Sequence, residues 1–175
     1  MSKVIFLDVD GVLNGDYMYA LGKKSPRCCG YLGIGKIHLQ YLYDIVQSTN
    51  AKIVLISSWK YDYNEYLHNH TNSIGKYLRE KLRKYWKMVI YDTTIIYDKS
   101  YGRNRGYEIK SWLASKTDID AWVVLDDEIF EDYDDEIMKH LVKTDSIDGL
   151  TSSDASKAIE ILGCKINKCY DDFNE

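Results

Sequence analysis

The sequence predicts an α/β protein, a three-layer sandwich around a mainly parallel five-stranded sheet. Short continuous apolar runs alternate with segments of helical periodicity, which is the pattern of strands buried on both faces between crossover helices. The 175 residues contain no repeat, low-complexity tract or Pro/Gly/Ser-rich linker, so 1–175 reads as one domain. Hydrophobic residues make up 45% and charged ones 29%, a globular balance that argues against disorder.

The first strand is Val4-Ile5-Phe6-Leu7, closed by Asp8-Val9-Asp10-Gly11. A loop follows, punctuated by Gly15, Gly22, Pro26, Gly30, Gly33 and Gly35. A helix is predicted over 36–49, where Ile37, Leu39, Leu42, Ile45 and Val46 fall near one face. The second strand, Ile53-Val54-Leu55-Ile56, ends in Ser57-Ser58-Trp59, and a Tyr-rich, then basic, helical stretch covers 62–86. Met88-Val89-Ile90-Tyr91 is the third strand, and a helix from Gly106 to Ser115 precedes the fourth, Trp122-Val123-Val124-Leu125, which ends at Asp126-Asp127. The acidic stretch Asp132–Glu136 reads as a solvated loop or helix start, and Leu141-Val142 as a short fifth strand. Thr151-Ser152-Ser153-Asp154 signals the last helix, with a hydroxyl at the N-cap and an acid three residues on. Its Ala155, Ala158, Ile159 and Leu162 point inward.

In a parallel sheet, ligands bind at the carboxyl ends of the strands, near a switch in strand order. Polar residues follow three of the predicted strands: Asp8 and Asp10, Ser57 and Ser58, Asp126 and Asp127. A single acid after a strand is as often a helix cap or a solvated group, but three such sets at matched strand ends point to a site. On an extended strand the carboxylates of Asp8 and Asp10 would point the same way, and a turn at Gly11 swings the second aside. One can then attack phosphorus while the other protonates the leaving oxygen. A divalent cation keeps the nucleophile ionised. Magnesium takes hard oxygen ligands, commonly one or two carboxylates with phosphate and water, and Asp126-Asp127 supplies the missing acid.

Here the chain resembles the haloacid dehalogenase (HAD) superfamily. Val4 to Asn14, Val-Ile-Phe-Leu-Asp-Val-Asp-Gly-Val-Leu-Asn, is similar to that superfamily's first motif, a hydrophobic strand followed by Asp-x-Asp-Gly. Ile53–Ser57 resembles the second motif, Arg105 at a helix start the third, and Val123–Asp127 the fourth. The tail, His140 to Asp145 and Gly149 to Thr151, is similar to a subgroup found in RNA-repair proteins of the "Swiss army knife" type. The resemblance implies a Rossmann-like, HAD-type sandwich and a phosphomonoesterase that passes through an aspartyl-phosphate. It makes Asp8 the nucleophile and Asp10 the general acid and then base, with the Asp10 backbone carbonyl on Mg2+. Ser57 would bind a phosphoryl oxygen, with Ser58 its competitor, and Arg105 would offset developing charge. The superfamily accepts Lys or Arg as the third-motif base, so Arg103 and Lys110 stay open beside Arg105. Asp127 is the preferred direct metal ligand and Asp126 assists, with Asp8 and Asp10 completing the set. Gly11, Ser58, Trp59 and Lys110 are candidate substrate contacts. Displacement of halide from carbon would need neither Asp10 nor magnesium, so Asp10 favours phosphate.

The segment between Asn14 and Gly35, about twenty residues, is too short for an independent cap domain. The expected site is therefore open, suited to a phosphorylated substrate that is large, a polynucleotide end among them. Arg79, Lys81, Arg83, Lys84 and Lys87, interleaved with Tyr77, Tyr85 and Trp86, have the composition of a single-strand-binding surface. They equally have that of a solvated helix face with its aromatics in the core. Tyr17, Tyr19, Arg27 and Tyr31 lie in the loop after the first motif, within reach of substrate. The net charge of −4 argues against tight duplex binding. A nucleotidase or small-molecule phosphatase is the alternative enzyme, and a non-catalytic binding module on the same fold is the rival class.

The 16 tyrosines have no single assignment, being equally at home half-buried or lining a polar groove. No apolar run approaches the ~20 residues that span a bilayer, and the start is too short and too early for a signal peptide. The expectation is a cytoplasmic protein without a membrane partner and with no obligate protein partner inferable. Cys28, Cys29, Cys164 and Cys169 are then thiols, and neither pair has Cys-x-x-Cys spacing for zinc.

Overall fold

A computed structural model describes residues 2–15, 27–28, 31–66, 74–95 and 104–163. The elements are β1 (Ser2–Leu7), β2 (Arg27–Cys28), β3 (Tyr31–Leu32), α1 (Lys36–Thr49), β4 (Lys52–Leu55), α2 (Lys60–Tyr66), α3 (Ile74–Trp86), β5 (Ile90–Thr93), α4 (Arg105–Ala114), β6 (Ile119–Asp126), α5 (Asp135–His140), β7 (Leu141–Lys143) and α6 (Ser152–Ile161). Five strands form one sheet in the order β5-β4-β1-β6-β7, every neighbouring pair parallel. The fold is the three-layer α/β sandwich around a parallel five-stranded sheet that the sequence predicts.

The continuous apolar runs are explained by burial on both faces. Val4 to Leu7 have no exposure, and successive side chains enter opposite cores, as the two-residue period of a strand requires. Ile5, Leu7, Ile53, Leu55, Val123 and Leu125 join Leu39, Leu42 and Ile45 of α1, Leu78 and Leu82 of α3, and Ala155, Ala158 and Ile159 of α6. Val4, Phe6, Val54, Ile56 and Val124 join Ile109 and Trp112 of α4 and Ile137 of α5 on the other side. Phe6 meets Trp112 edge-on with ring centroids 5.4 Å apart.

Chain order fixes where a ligand can sit. From β1 the chain steps to β4 and β5 on one side, then returns across β1 to β6 and β7 on the other. The reversal places a crevice at the carboxyl ends of β1 and β6. α6 starts as expected, with Thr151 at the N-cap and a reciprocal capping box to Asp154.

Several boundaries differ from the reading of the sequence. The stretch 62–86 holds two helices, and Gly75 lets them approach: a Cβ there would lie 2.4 Å from the Tyr63 Cα. The third strand starts two residues late, because Met88 closes α3, its N–H donating to the Leu82 carbonyl at 3.2 Å. The loop after β1 contains an antiparallel hairpin, β2–β3, that no apolar pattern announced. The acidic stretch Asp132–Glu136 does lead into a helix start, as one of its two readings had it: the Asp134 side chain caps the Ile137 N–H, and Asp135 and Glu136 occupy the first turn of α5. Tyr17, Tyr19, Arg103, Cys29, Cys164 and Cys169 lie outside the described residues. No described helix is long and apolar enough to cross a membrane.

Candidate active site

The floor of the crevice is set by the turn after β1. The Asp8 N–H continues the sheet ladder to the Leu125 carbonyl at 2.9 Å, so the first acid is positioned by the β1–β6 pairing itself. The chain then turns tightly, with the Leu13 N–H donating to the Val9 carbonyl at 2.8 Å. Gly11 has φ +70°, a left-handed value that glycine tolerates, and a Cβ there would sit 2.2 Å from the Asp127 carboxylate. Its carbonyl accepts from the Thr144 hydroxyl at 2.8 Å and its N–H donates to Asn14 Oδ1 at 2.9 Å, so that N–H is used within the turn. Asp10 accepts from the Trp59 indole N–H at 2.8 Å through Oδ2 and from Asn14 Nδ2 at 2.9 Å through Oδ1.

The end of β6 supplies the second wall. Asp126 is fully buried, and both its oxygens are engaged: Oδ1 by the Glu128 N–H at 3.0 Å, Oδ2 by Arg105 at 2.6 Å and the Tyr133 hydroxyl at 2.9 Å. Asp127 is half-buried and lines the crevice. Arg105, the first residue of α4, reaches Asp8 Oδ1 at 3.1 Å with the nitrogen that holds Asp126. Its guanidinium lies over the Phe130 ring, 4.3 Å from the centroid.

Burial pushes the Asp8 carboxyl up to about 7, with Asp126, Asp10 and Asp127 adding to the rise and Arg105 opposing it. Asp127 is raised as well, by burial and then by Asp126. Burial works against the Arg105 cation, but Asp8 and Asp126 more than offset it and hold the guanidinium above its ordinary value. Burial beside Asp126 raises the Tyr133 phenol, so it stays a donor.

The end of β4 closes the third side. Ser57 is only 1% exposed, and its Oγ accepts weakly from the Trp59 N–H at 3.4 Å, whereas Ser58 lines the crevice. Trp59, a candidate substrate contact, is 2% exposed and acts instead on Asp10 through its indole N–H. Lys110, the other candidate contact, stands on the outer side of α4 paired with Asp134, apart from the crevice. Its hydrogen bond holds the Asp134 carboxyl below the usual range. The crevice measures about 430 Å³ and is lined by Asp8, Asp10, Ser58, Lys60, Arg105 and Asp127, with Tyr61, Asn104, Glu108 and Glu128 further along.

Asp8, Asp126 and Asp127 each bring a carboxylate oxygen within 4.8 Å of the other two. Three such oxygens, two of them on acids whose charge is disfavoured by burial and mutual repulsion, fit a hard divalent cation, which would replace the proton on Asp8. Asp126 Oδ2 takes two hydrogen bonds and Oδ1 only one, so Asp8 and Asp127 have the more open oxygens.

Lys60, Asn14, Glu108, Phe130 and Tyr133 escaped the reading of the sequence. Asn14 had a signal, an amide four residues after Asp10. Lys60, Glu108 and Tyr133 are brought in by crossover geometry and had none. The profile of one protein family, described as the HAD domain in Swiss Army Knife RNA repair proteins, matches residues 4–155. No curated protein and no solved structure was found to match the chain.

Proposed function

Because the chain belongs to the family of HAD domains in Swiss Army Knife RNA repair proteins, a branch of the HAD hydrolases, we propose that it is a magnesium-dependent phosphomonoesterase acting through a phosphorylated Asp8. The observation that carries the reading is the junction at the switch point. There Arg105 bridges Asp8 to Asp126, Asp127 stands within 4.8 Å of both, and Asp10 is oriented two residues on. A buried carboxylate flanked by acids is a poor resting arrangement and a useful one for a nucleophile that needs a cation to ionise.

Asp8, Asp127 and the Asp10 backbone carbonyl would hold Mg2+, which would supply charge for the nucleophile and the phosphoryl oxygens when bound. An Asp8 carboxylate oxygen attacks phosphorus, and the bond from phosphorus to the ester oxygen breaks. Asp10 gives its proton to the departing oxygen. Asp10, now a carboxylate, takes a proton from water as that water attacks the same phosphorus. The bond to Asp8 breaks, phosphate leaves, and both acids return to their starting states. Arg105 offsets the charge that builds on the phosphoryl oxygens. Trp59 and Asn14 keep Asp10 aimed, and Ser58 supplies a hydrogen bond from the wall.

Among the described residues nothing caps the crevice, which favours phosphate on a large carrier, and the family's occurrence in RNA repair makes a polynucleotide end the first substrate to try. The test is phosphate release from an oligonucleotide bearing a 5′- or 3′-phosphate, from a mononucleotide and from p-nitrophenyl phosphate, with and without magnesium. Magnesium-dependent release that disappears in Asp8→Asn supports the reading. Release that survives Asp8→Asn removes the covalent route, and preference for the small esters redirects the substrate to a metabolite. No release from any of them, with magnesium present, would favour the binding-module class.

A further inference from the structure

The crevice contains a second cation that the chemistry above leaves unused. Lys60 opens α2 immediately after the β4 end, is 2% exposed, and still lines the crevice. Its ammonium donates to the Thr94 hydroxyl at 3.0 Å and to Glu108, and Thr94 in turn donates to the same Glu108 oxygen at 3.0 Å. Glu108 is also buried, one turn along α4 from Arg105. The three residues come from three different parts of the chain that meet beside the nucleophile.

A buried ion pair is a poor stabiliser, because desolvating both charges offsets most of their attraction, so its presence at this place calls for a use. An ammonium carries three protons, and two acceptors reach this one among the described residues. Lys60 is also within electrostatic range of both Asp8 and Arg105. Arg105 is committed to Asp8 and Asp126, whereas Lys60 hydrogen-bonds a single carboxylate, Glu108, among the described residues. Burial pushes its ammonium below the ordinary value, and Glu108 opposes that only in part.

We propose that Lys60 is a second phosphoryl-binding cation, which turns its uncommitted proton to an oxygen of the substrate's phosphate while Glu108 and Thr94 keep its ammonium at the crevice wall. This rests on the phosphohydrolase reading. Arg105 then acts where charge builds beside Asp8, and Lys60 holds the same group from the β4 side, the part that the buried Ser57 does not supply.

The experiment measures binding of inorganic phosphate by calorimetry, in magnesium, beside turnover of p-nitrophenyl phosphate. Lys60→Met alone strands the Glu108 charge and puts folding at risk. The deciding variant is therefore the double change Lys60→Met with Glu108→Leu, which replaces the pair by apolar groups. Expected is a protein that melts near the wild type yet binds phosphate at least tenfold more weakly and turns over at least a hundredfold more slowly. Lys60→Arg, which keeps the charge, should recover part of both. A folded double variant that binds phosphate as the wild type does would overturn the role of Lys60 and leave the phosphohydrolase reading standing. Absence of phosphate binding by the wild type would remove both.

Discussion

Two charged regions stand out in the sequence, and the structure treats them in opposite ways. At the junction of β1, β6 and α4, the buried Asp8 and Asp126 are wired to the partly buried Arg105 at 3.1 and 2.6 Å. Along α3, Arg83 and Lys84 are exposed and Lys76 and Lys81 half-exposed, with Lys81 over the Tyr77 ring, while Arg79 turns in over the Tyr63 ring with its Nε buried. In the first region the backbone ladder decides where each charge sits, since Asp8 and Asp126 are tied to paired strands. In the second the charges follow the outward stripe of an amphipathic helix, and Leu78 and Leu82 on the opposite stripe supply its packing. Charge density alone does not make a site. What matters is whether the fold brings charges together against the cost of burying them.

The largest expected effect tests that difference within α4 itself. Arg105 and Lys110 share the helix, but only Arg105 faces the crevice, while Lys110 pairs with Asp134 at the surface. Arg105→Ala should lower kcat/KM for p-nitrophenyl phosphate by about a thousandfold, the scale of removing one electrostatic donor from a transition state. Lys110→Ala should change it less than about twofold, as expected for an exposed pair. Steady-state kinetics of both variants check this, and the reverse ranking would reassign the third-motif base.

This ranking is also a measure of what the residues alone revealed. The three central strands were legible because strands buried on both faces must be apolar at every position, and Val4–Leu7, Ile53–Ile56 and Val123–Leu125 are; the edge strand β5, with Asp92 and Thr93 and little burial, was placed two residues early. Asp8, Asp10 and Asp127 were legible because each closely follows such a run. The choice between Arg105 and Lys110 was not, because a helix presents different faces every residue and only the α4 packing angle selects one. Trp59 was read as a rim residue for the same reason; its ring turns inward to Asp10. Lys60 and Glu108 lie 48 positions apart, and nothing local in either announces the pair.

A smaller effect concerns protons and metal at Asp8. Its folded carboxyl is raised to about 7 from an ordinary 3.8, so the fold favours the neutral form. The unfolded chain gives up that proton near pH 4 while the folded one keeps it, so stability falls as pH rises from about 4 to about 7 and is flat above. Without metal, the melting temperature should drop by several degrees across that window, of the order of a few kcal/mol. Asp8→Asn should flatten the drop, less the stability that the Arg105 pair supplied. Magnesium takes the proton's place, so it should raise the melting temperature more at pH 8 than at pH 5. A magnesium shift that is equal at both values would separate the metal from Asp8.

The smallest expected effect lies on α3, and it decides whether the contrast between the two regions holds for a large substrate. α3 leads into β5, and in a parallel sheet a crossover helix runs back against its strands. Its start is therefore near the crevice and its basic end far from it. The ring packing agrees: Tyr77, in the first half, lies 6.5 Å from the Trp59 ring, while Trp86 at the end packs on Tyr43. Arg83 and Lys84 fall in the last turn, where cations suit the helix dipole without any ligand. Reversing both, Arg83→Glu with Lys84→Glu, should cost about 1–2 kcal/mol of stability and leave kcat/KM for p-nitrophenyl phosphate within about twofold. For a phosphorylated oligonucleotide the same variant should stay within about threefold. Its salt dependence should be unchanged, because every strand phosphate that α3 neutralised would have added nearly one to that slope. A tenfold loss on the oligonucleotide alone would mean that the strand reaches round the sheet to this helix, and the solvated face would become part of the substrate path.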